Sequence, residues 1–186
     1  MTGDQIFTKR LILRKIKEED LRQISDWSFS IAAYGDYLTP ENQTFQECLS
    51  RWENNSYWNE QSKTFIIEHK ERHKPIGTIR YWKKQNDHRA VLVALKIAEI
   101  DFRGQGYGTE SQLGLIDFLF TNQNYHTVEM FTDIDNVPEQ RCLKKLGFTF
   151  VDIQSYEDQK VARQGRLYRL TREEFELQRQ GLLCMQ

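Results

Sequence analysis

Apolar and polar positions change period several times along the 186-residue chain, and each change marks an element. Thr8 to Arg14 alternates and reads as a strand, with Leu11 and Leu13 on one face. Leu21, Ile24 and Trp27 then recur at helical spacing after the acidic run Glu18-Glu19-Asp20. Residues 27–62 are rich in Asn and aromatics and assign themselves poorly, apart from a short helix from Phe45 to Trp52. Thr64–His69 and Pro75–Trp82 flank the charged turn 70–74 and form a hairpin. Ala90–Ile100 is a long β-rich run that stops at a cluster of glycines. Beyond them Leu113, Ile116, Leu119 and Phe120 mark one face of a helix running to about Asn122. Val128–Thr132 is a further strand. Asn136 then opens a helix as its N-cap, with Pro138 in the first turn, Glu139 placed for a capping box, Leu143 and Leu146 as its buried stripe and Gly147 past its end. Phe148–Val151 and Arg166–Leu170 complete the strands. The order is β-α, an irregular region, ββ, β-turn-α, β-α, ββ. That order describes an α/β domain around a mixed sheet.

Composition narrows the setting. The 26 basic and 27 acidic residues nearly cancel, so there is no bulk charge to recruit nucleic acid or an anionic membrane. No stretch approaches the roughly 20 apolar residues of a membrane span, and MTGDQIFTKR lacks the apolar core of a secretory signal. Cys48, Cys142 and Cys184 are widely spaced and odd in number, which suits reduced thiols in a cytoplasm. No linker or internal repeat divides the chain, so residues 1–186 are expected to form one domain.

The chemistry concentrates in Lys96-Ile97-Ala98-Glu99 and the run Arg103-Gly104-Gln105-Gly106-Tyr107-Gly108-Thr109. A strand enters, a glycine-rich turn follows and a helix leaves. Glycines let the backbone approach a ligand closely, and the amides at the new helix's positive end converge into an anion cradle suited to a pyrophosphate. The G-x-G-x-G spacing satisfies neither the dinucleotide pattern G-x-G-x-x-G nor the P-loop, which needs a following Gly-Lys-Ser/Thr. A plain glycine-rich connection without a ligand is the alternative.

Arg103, Gly106 and Gly108 meet the motif Gln/Arg-x-x-Gly-x-Gly/Ala. About 30 residues further on, Asn136 opens a helix that ends in Lys145-Leu146-Gly147-Phe148. With these motifs the chain resembles the GNAT superfamily of acyl-CoA-dependent N-acyltransferases. The Leu11–Arg14 strand with Asp20 beyond it, the run 106–110 and the stretch from Tyr168 to Phe175 resemble the RimJ/RimL-like branch that acetylates ribosomal-protein N-termini. The resemblance covers roughly residues 8 to 175, with a weak match at 28–62. It implies a GNAT fold: a single domain whose mostly antiparallel central sheet splays at an acyl-CoA cleft and is flanked by helices.

The resemblance also implies roles. The backbone of Lys96, Ile97 and Ala98 would pair with the pantetheine arm of acetyl-CoA. The amides of Gly104 to Thr109 would hold the pyrophosphate, and Asn136 would reach the cofactor, unless it is purely an N-cap. A strand amide near Ile97 would stabilise the oxyanion as an amine attacks the thioester. No metal enters this chemistry, and His69 and His73 flank a turn without a third ligand.

Two proton transfers remain, one from the acceptor ammonium and one to the departing thiolate. Glu99 and Asp133 stand at the ends of two strands as candidate bases, each also readable as a solvated loop carboxylate. The Tyr that many relatives use as acid is Leu143 here, beside Cys142, a small helix residue and at most a weak substitute; Tyr168 is a more distant donor. The absent Tyr supports a rival reading, a non-catalytic acyl-CoA sensor on the same fold, and a nucleotide-phosphate binder is a third.

Residues 26–60 hold Asp26, Asp36, Glu41, Glu47, Glu53 and Glu60 against Arg51 alone, among eight aromatic residues. Carboxylates and aromatic faces attract ammonium groups. The expected acceptor is therefore a cationic small amine, such as a polyamine or aminoglycoside, or a protein N-terminus. A solvated acidic surface over core aromatics is the competing account. Direct transfer in a ternary complex is expected, since no residue carries the marks of an activated nucleophile, and a homodimer is left open.

Overall fold

The computed structural model describes residues 4–183, so Cys184 lies outside the described residues. Eight strands form one sheet: β1 (Gln5–Phe7), β2 (Leu11–Lys15), β3 (Ser62–His69), β4 (Lys74–Lys84), β5 (Asp87–Ile97), β6 (Thr127–Asp133), β7 (Thr149–Asp158) and β8 (Val161–Thr171). The helices are α1 (Leu21–Phe29), α2 (Ile31–Tyr34), α3 (Phe45–Glu53), α4 (Tyr107–Thr121), α5 (Val137–Lys145) and α6 (Arg172–Leu183). The strand order is β1-β2-β3-β4-β5-β6-β8-β7, and among the described residues the β5–β6 pair alone is parallel. This is the mixed, mostly antiparallel α/β sheet that the residue pattern implies.

Alternation along the strands sorts the core onto two sides of this sheet. Leu11, Leu13, Phe65, Ile67, Ile79, Val91 and Val93 pack against Leu115, Ile116 and Leu119 of α4. On the other side Ile66 meets Leu21, Trp27, Tyr34, Cys48 and Tyr57 from α1, α2 and the α3 region. Trp27, Tyr34, Phe45, Trp52 and Tyr57 thus fill a second core. The carboxylate of buried Asp20 receives both terminal nitrogens of Arg14, at 2.7 and 2.8 Å, and so pins the start of α1 to β2.

Several expectations need correction. The first strand is Leu11–Lys15, and a separate strand, Gln5–Phe7, doubles back on it. The β5 strand stops at Ile97, and Ile100–Phe102 forms a 3-10 turn. Leu113 is 47% exposed because it heads the solvent-facing row continued by Asp117 and Thr121, while Ser111 and Gln112 are buried in its stead. Asn136 caps α5 by accepting from the Glu139 amide at 3.2 Å, but the Glu139 carboxylate turns away to accept from Gln112 Nε2 at 2.7 Å, so no capping box closes. The final hairpin runs from Thr149 to Thr171, far beyond the two short strands expected, and α6 follows it.

Candidate active site

The site exists because two parallel strands part. Pairing between β5 and β6 covers Ala90↔Thr127 to Val93↔Met130 and then ends. From Ala94 to Ile97, β5 keeps β4 as its antiparallel neighbour but, among the described residues, has no strand on its other side. Backbone N–H and C=O groups left open in this way form a template for an extended ligand, apart from the Ile97 carbonyl, which accepts from the Arg103 side chain.

At the end of that open edge the chain turns into α4. Gly104 and Gly106 adopt φ values of 71° and 80°, in the left-handed region that glycine enters freely. The Glu110 amide makes the first helical bond, to the Gly106 carbonyl at 3.0 Å. The amides just before it have no carbonyl one turn back, which is the arrangement that receives phosphate oxygens. A cleft of about 590 Å³ joins the turn to the open strand. Lys96, Ile97, Arg103, Gly104 and Gly106 line one part of it, and Gly108, Thr109 and Asn136 line the other. An open strand edge leading to a helix N-terminus fits a pantetheine arm that ends in a pyrophosphate.

The remaining cofactor candidates sit differently. The Arg103 guanidinium bonds the Ile97 carbonyl at 2.8 Å and the Ala33 carbonyl at 2.7 Å, tying α2 to the end of β5. Gln105 turns its side-chain amide to the Asp101 carbonyl. Tyr107 is buried, with its hydroxyl 3.0 Å from His69 Nε2 and the Arg10 guanidinium 4.1 Å from its ring centre. Ala98 is buried in the second core, and its amide bonds the Ile76 carbonyl at 2.9 Å.

Asp133 ends β6, and Glu99 lies two residues past the end of β5. One Glu99 oxygen accepts from the Trp27 indole at 2.8 Å and the other pairs with Lys74. Burial pushes this carboxyl up, but the Lys74 and Trp27 bonds outweigh it and hold it below the usual carboxylate range. Asp133 pairs with Arg163 at 3.2 Å and receives the Asp135 amide at 3.0 Å. It lines a cavity between β5 and β6 together with Ala94, Leu95 and Tyr156. Cys142 also reaches the cleft, where its thiol lies 3.1 Å from Thr109 Oγ1, and burial pushes its pKa up. Leu143 is fully buried.

A second cavity, of about 160 Å³, continues from the cleft on the α1–α3 side of the sheet. Thr78, Arg80, Ala94 and Lys96 form its sheet wall. Trp27 and Tyr34 come from the helices, Glu41 from the connection before α3, Arg51 and Tyr57 from in and after α3, and Asp158 from the tip of the β7–β8 hairpin. Of the six acids in residues 26–60, Glu41 alone lines it. Asp36 lies on the cofactor cleft, Glu47 closes the α3 capping box with Thr44, and Asp26, Glu53 and Glu60 are exposed. Periodicity missed Arg80, Lys96 as a side chain, and Asp158, although Arg80 and Lys96 follow the alternation that puts Thr78, Arg80 and Trp82 on one face.

A splayed sheet with an amide cradle at its open end fits an acyl-CoA. The family model for the acetyltransferase (GNAT) domain matches residues 10–149, and the chain belongs to this GNAT family. The N-acetyltransferase p20 of Bacillus licheniformis is 25% identical over 147 residues, covering 78% of this chain and 82% of its own. Among solved structures, RimL, the ribosomal L7/L12 alpha-N-protein acetyltransferase in complex with coenzyme A, superposes with a TM-score of 0.77 at 15% identity, over 90% of this chain and 97% of its own. The spermidine/spermine N-acetyltransferase SpeG of Vibrio cholerae gives 0.74 at 16%, over 91% and 98%. At these identities the structural likeness shows the fold alone. The chain is an acetyl-CoA-dependent acyltransferase of the GNAT family.

Proposed function

We propose that the protein moves an acetyl group from acetyl-CoA to a primary amine by direct transfer in a ternary complex. The observation that carries this reading is the continuity of two cavities through Tyr34, Leu38, Leu95 and Lys96, which line both the cofactor cleft and the second cavity. An amine entering from the second cavity meets a thioester held in the first. Acetyl-CoA supplies the activated acyl group; the chain's own residues hold it, orient the amine and accept its proton. The backbone of Lys96 and Ile97 would carry the pantetheine arm, with Ala98 ending that edge. The amides from Gly104 through Gln105, Gly106, Tyr107 and Gly108 to Thr109 would hold the pyrophosphate, and Arg103 and Asn136 would fix the two walls of the cleft.

Asp133 lines the cavity between β5 and β6, which shares Arg80, Ala94, Leu95 and Asp158 with the acceptor cavity, and is the better placed of the two carboxylates to take the acceptor's proton, directly or through a water. Both carboxylates have both oxygens engaged, Asp133 by the Asp135 amide and Arg163, Glu99 by Trp27 and Lys74; Glu99 lines neither the cofactor cleft nor the adjoining cavities, which supports a positioning role past the end of β5. Cys142 holds a raised pKa and a bond to Thr109, so nothing activates it as a covalent relay. The acceptor is a small amine or a protein N-terminus; SpeG and RimL, which share the fold, are named for these two classes.

Mass-spectrometric detection of acetyl transfer at about pH 8, where an α-amino group is half deprotonated, tests the reading. Transfer to any amine of a panel holding spermidine, an aminoglycoside and N-terminal peptides supports it. Coenzyme A binding without transfer to any of them favours the sensor reading.

A further inference from the structure

The second cavity holds both signs of charge, and they are not evenly matched. Glu41 pairs with Arg51 at 3.4 Å and also accepts from Gln43. Asp158 accepts from the Thr39 amide at 2.8 Å and pairs with Arg163 at 3.4 Å. Both carboxylates are thus engaged. Arg80 and Lys96 are not: neither has a carboxylate within salt-bridge distance among the described residues. They project from β4 and β5 onto the same face of the sheet, where Thr78 pairs with Lys96 and Arg80 with Ala94. Each is held by an aromatic ring. The Arg80 guanidinium lies 4.7 Å from the Trp82 ring centre, and the Lys96 ammonium 3.7 Å from that of Tyr34.

Stacking uses the face of a guanidinium and leaves its in-plane N–H donors free for a carboxylate or phosphate. Two like charges side by side repel and gain when an anion comes between them. The cavity, of about 160 Å³, opens into the cofactor cleft through Tyr34, Leu38, Leu95 and Lys96 and leaves room for a short chain between the two charges and the thioester.

We propose that the acceptor carries an anionic group a short chain away from its amine, and that Arg80 and Lys96 bind that group while the amine faces the thioester. The proposal rests on the acetyltransferase reading above. The chemistry it names is a primary amine with a nearby carboxylate, found in a free amino acid and in a peptide N-terminus that bears an acidic side chain. Polyamines lack it.

The test compares kcat/KM within matched pairs: γ-aminobutyrate against butylamine, and N-terminal peptides with Asp against Lys at the second and third positions, with spermidine alongside. The carboxylated member is expected to exceed its partner by about tenfold or more, as a charge-assisted bond provides. In Arg80→Gln that ratio collapses through a rise in KM for the carboxylated acceptor, and Arg80→Lys restores part of it. Preference for γ-aminobutyrate assigns a small-molecule acceptor, and preference for the acidic peptide a protein N-terminus. Equal or faster transfer to butylamine, the Lys peptide or spermidine overturns the proposal and leaves the acetyltransferase reading standing. So does an Arg80→Gln variant that loses coenzyme A affinity in calorimetry while keeping the ratio, because the charge would then serve the cofactor. No transfer to any acceptor with coenzyme A bound overturns both.

Discussion

The Trp27 indole donates to Glu99 Oε1 at 2.8 Å, joining α1 to the end of β5 across the second core. With Lys74 on the other oxygen, this carboxylate fixes where the cofactor strand ends. Loss of a general base lowers rates by about 10²- to 10⁴-fold, whereas loss of a supporting hydrogen bond lowers them by about tenfold or less. Glu99→Gln is therefore expected to lower kcat/KM by under about tenfold, Trp27→Phe to do the same, and Asp133→Asn to lower it by about a hundredfold or more. Steady-state rates across pH check this. A larger loss in Glu99→Gln than in Asp133→Asn, with a flattened acid limb, would reverse the two roles.

Lys96 makes stability depend on pH in a definite direction. Burial pulls its pKa down to about 8, opposed by Glu41 and assisted by Arg80. Below that value both folded and unfolded chains carry the charge, and the folded one bears its desolvation. As pH rises through about 8 the folded chain sheds the proton while the unfolded chain keeps it, so stability increases toward the ordinary lysine pKa. Lys96→Met removes the penalty and is expected to raise Tm by about 2–4 °C at neutral pH, a gain that shrinks as pH climbs past 8. A Tm that falls at neutral pH would show that the Tyr34 contact outweighs the burial.

Glu139 has the opposite dependence. Burial pushes its carboxyl up, and the Gln112 bond offsets this in part. A raised carboxyl contributes stability below its ordinary pKa, and that contribution is lost as pH rises through the folded value. The residue is half-buried on the wall of the cofactor cleft, where burial disfavours its charged form. Glu139→Gln is expected to raise Tm more at neutral pH than near about pH 4, where protonation favours the uncharged form, and to tighten coenzyme A severalfold by removing a negative charge near its phosphates. Thermal melts at the two pH values and calorimetry decide; equal Tm shifts at both would remove the electrostatic explanation.

The parts of this structure that were legible in the sequence are those where a local pattern matched a local cause. Gly104, Gly106 and Gly108 announced the strand-turn-helix, and Asn136 and Gly147 framed α5, because turns and caps are decided by neighbouring residues. The long β7–β8 hairpin was hidden because β7 is an edge strand exposed on both faces, so it has no buried alternation to display. Leu113 misled because α4 buries Ser111 and Gln112 while it exposes a leucine. At the site, backbone roles at Ile97 and Gly106 could be read from the motif. The acceptor cavity could not, since Arg80, Lys96, Glu41 and Asp158 come together from four separated segments. Counting acids along residues 26–60 overstated its negative charge, because chain proximity does not say which carboxylates face inward.

Two glycines of the turn separate stability from cofactor binding. Gly106 holds φ at 80°, and a Cβ added there would meet only Arg10 Nη2, at 3.6 Å. Gly106→Ala thus feels backbone strain of about 1–2 kcal/mol without a clash, and Tm should fall by several degrees. Gly108 lies inside α4, where alanine is the better helix former by about 1 kcal/mol. Its added Cβ would sit 3.2 Å from Leu95 Cδ2 and 3.8 Å from Ile97 Cγ1, on the cofactor wall. Gly108→Ala is therefore expected to leave Tm nearly unchanged, because helix propensity offsets the tight contact, and to weaken coenzyme A by about tenfold or more, as an intruding methyl at a close backbone approach does. Melting curves and calorimetry on the two variants test the separation. If Gly108→Ala binds coenzyme A as tightly as the parent, the cofactor does not approach the backbone at this turn, and the cradle has to be sought elsewhere along the cleft.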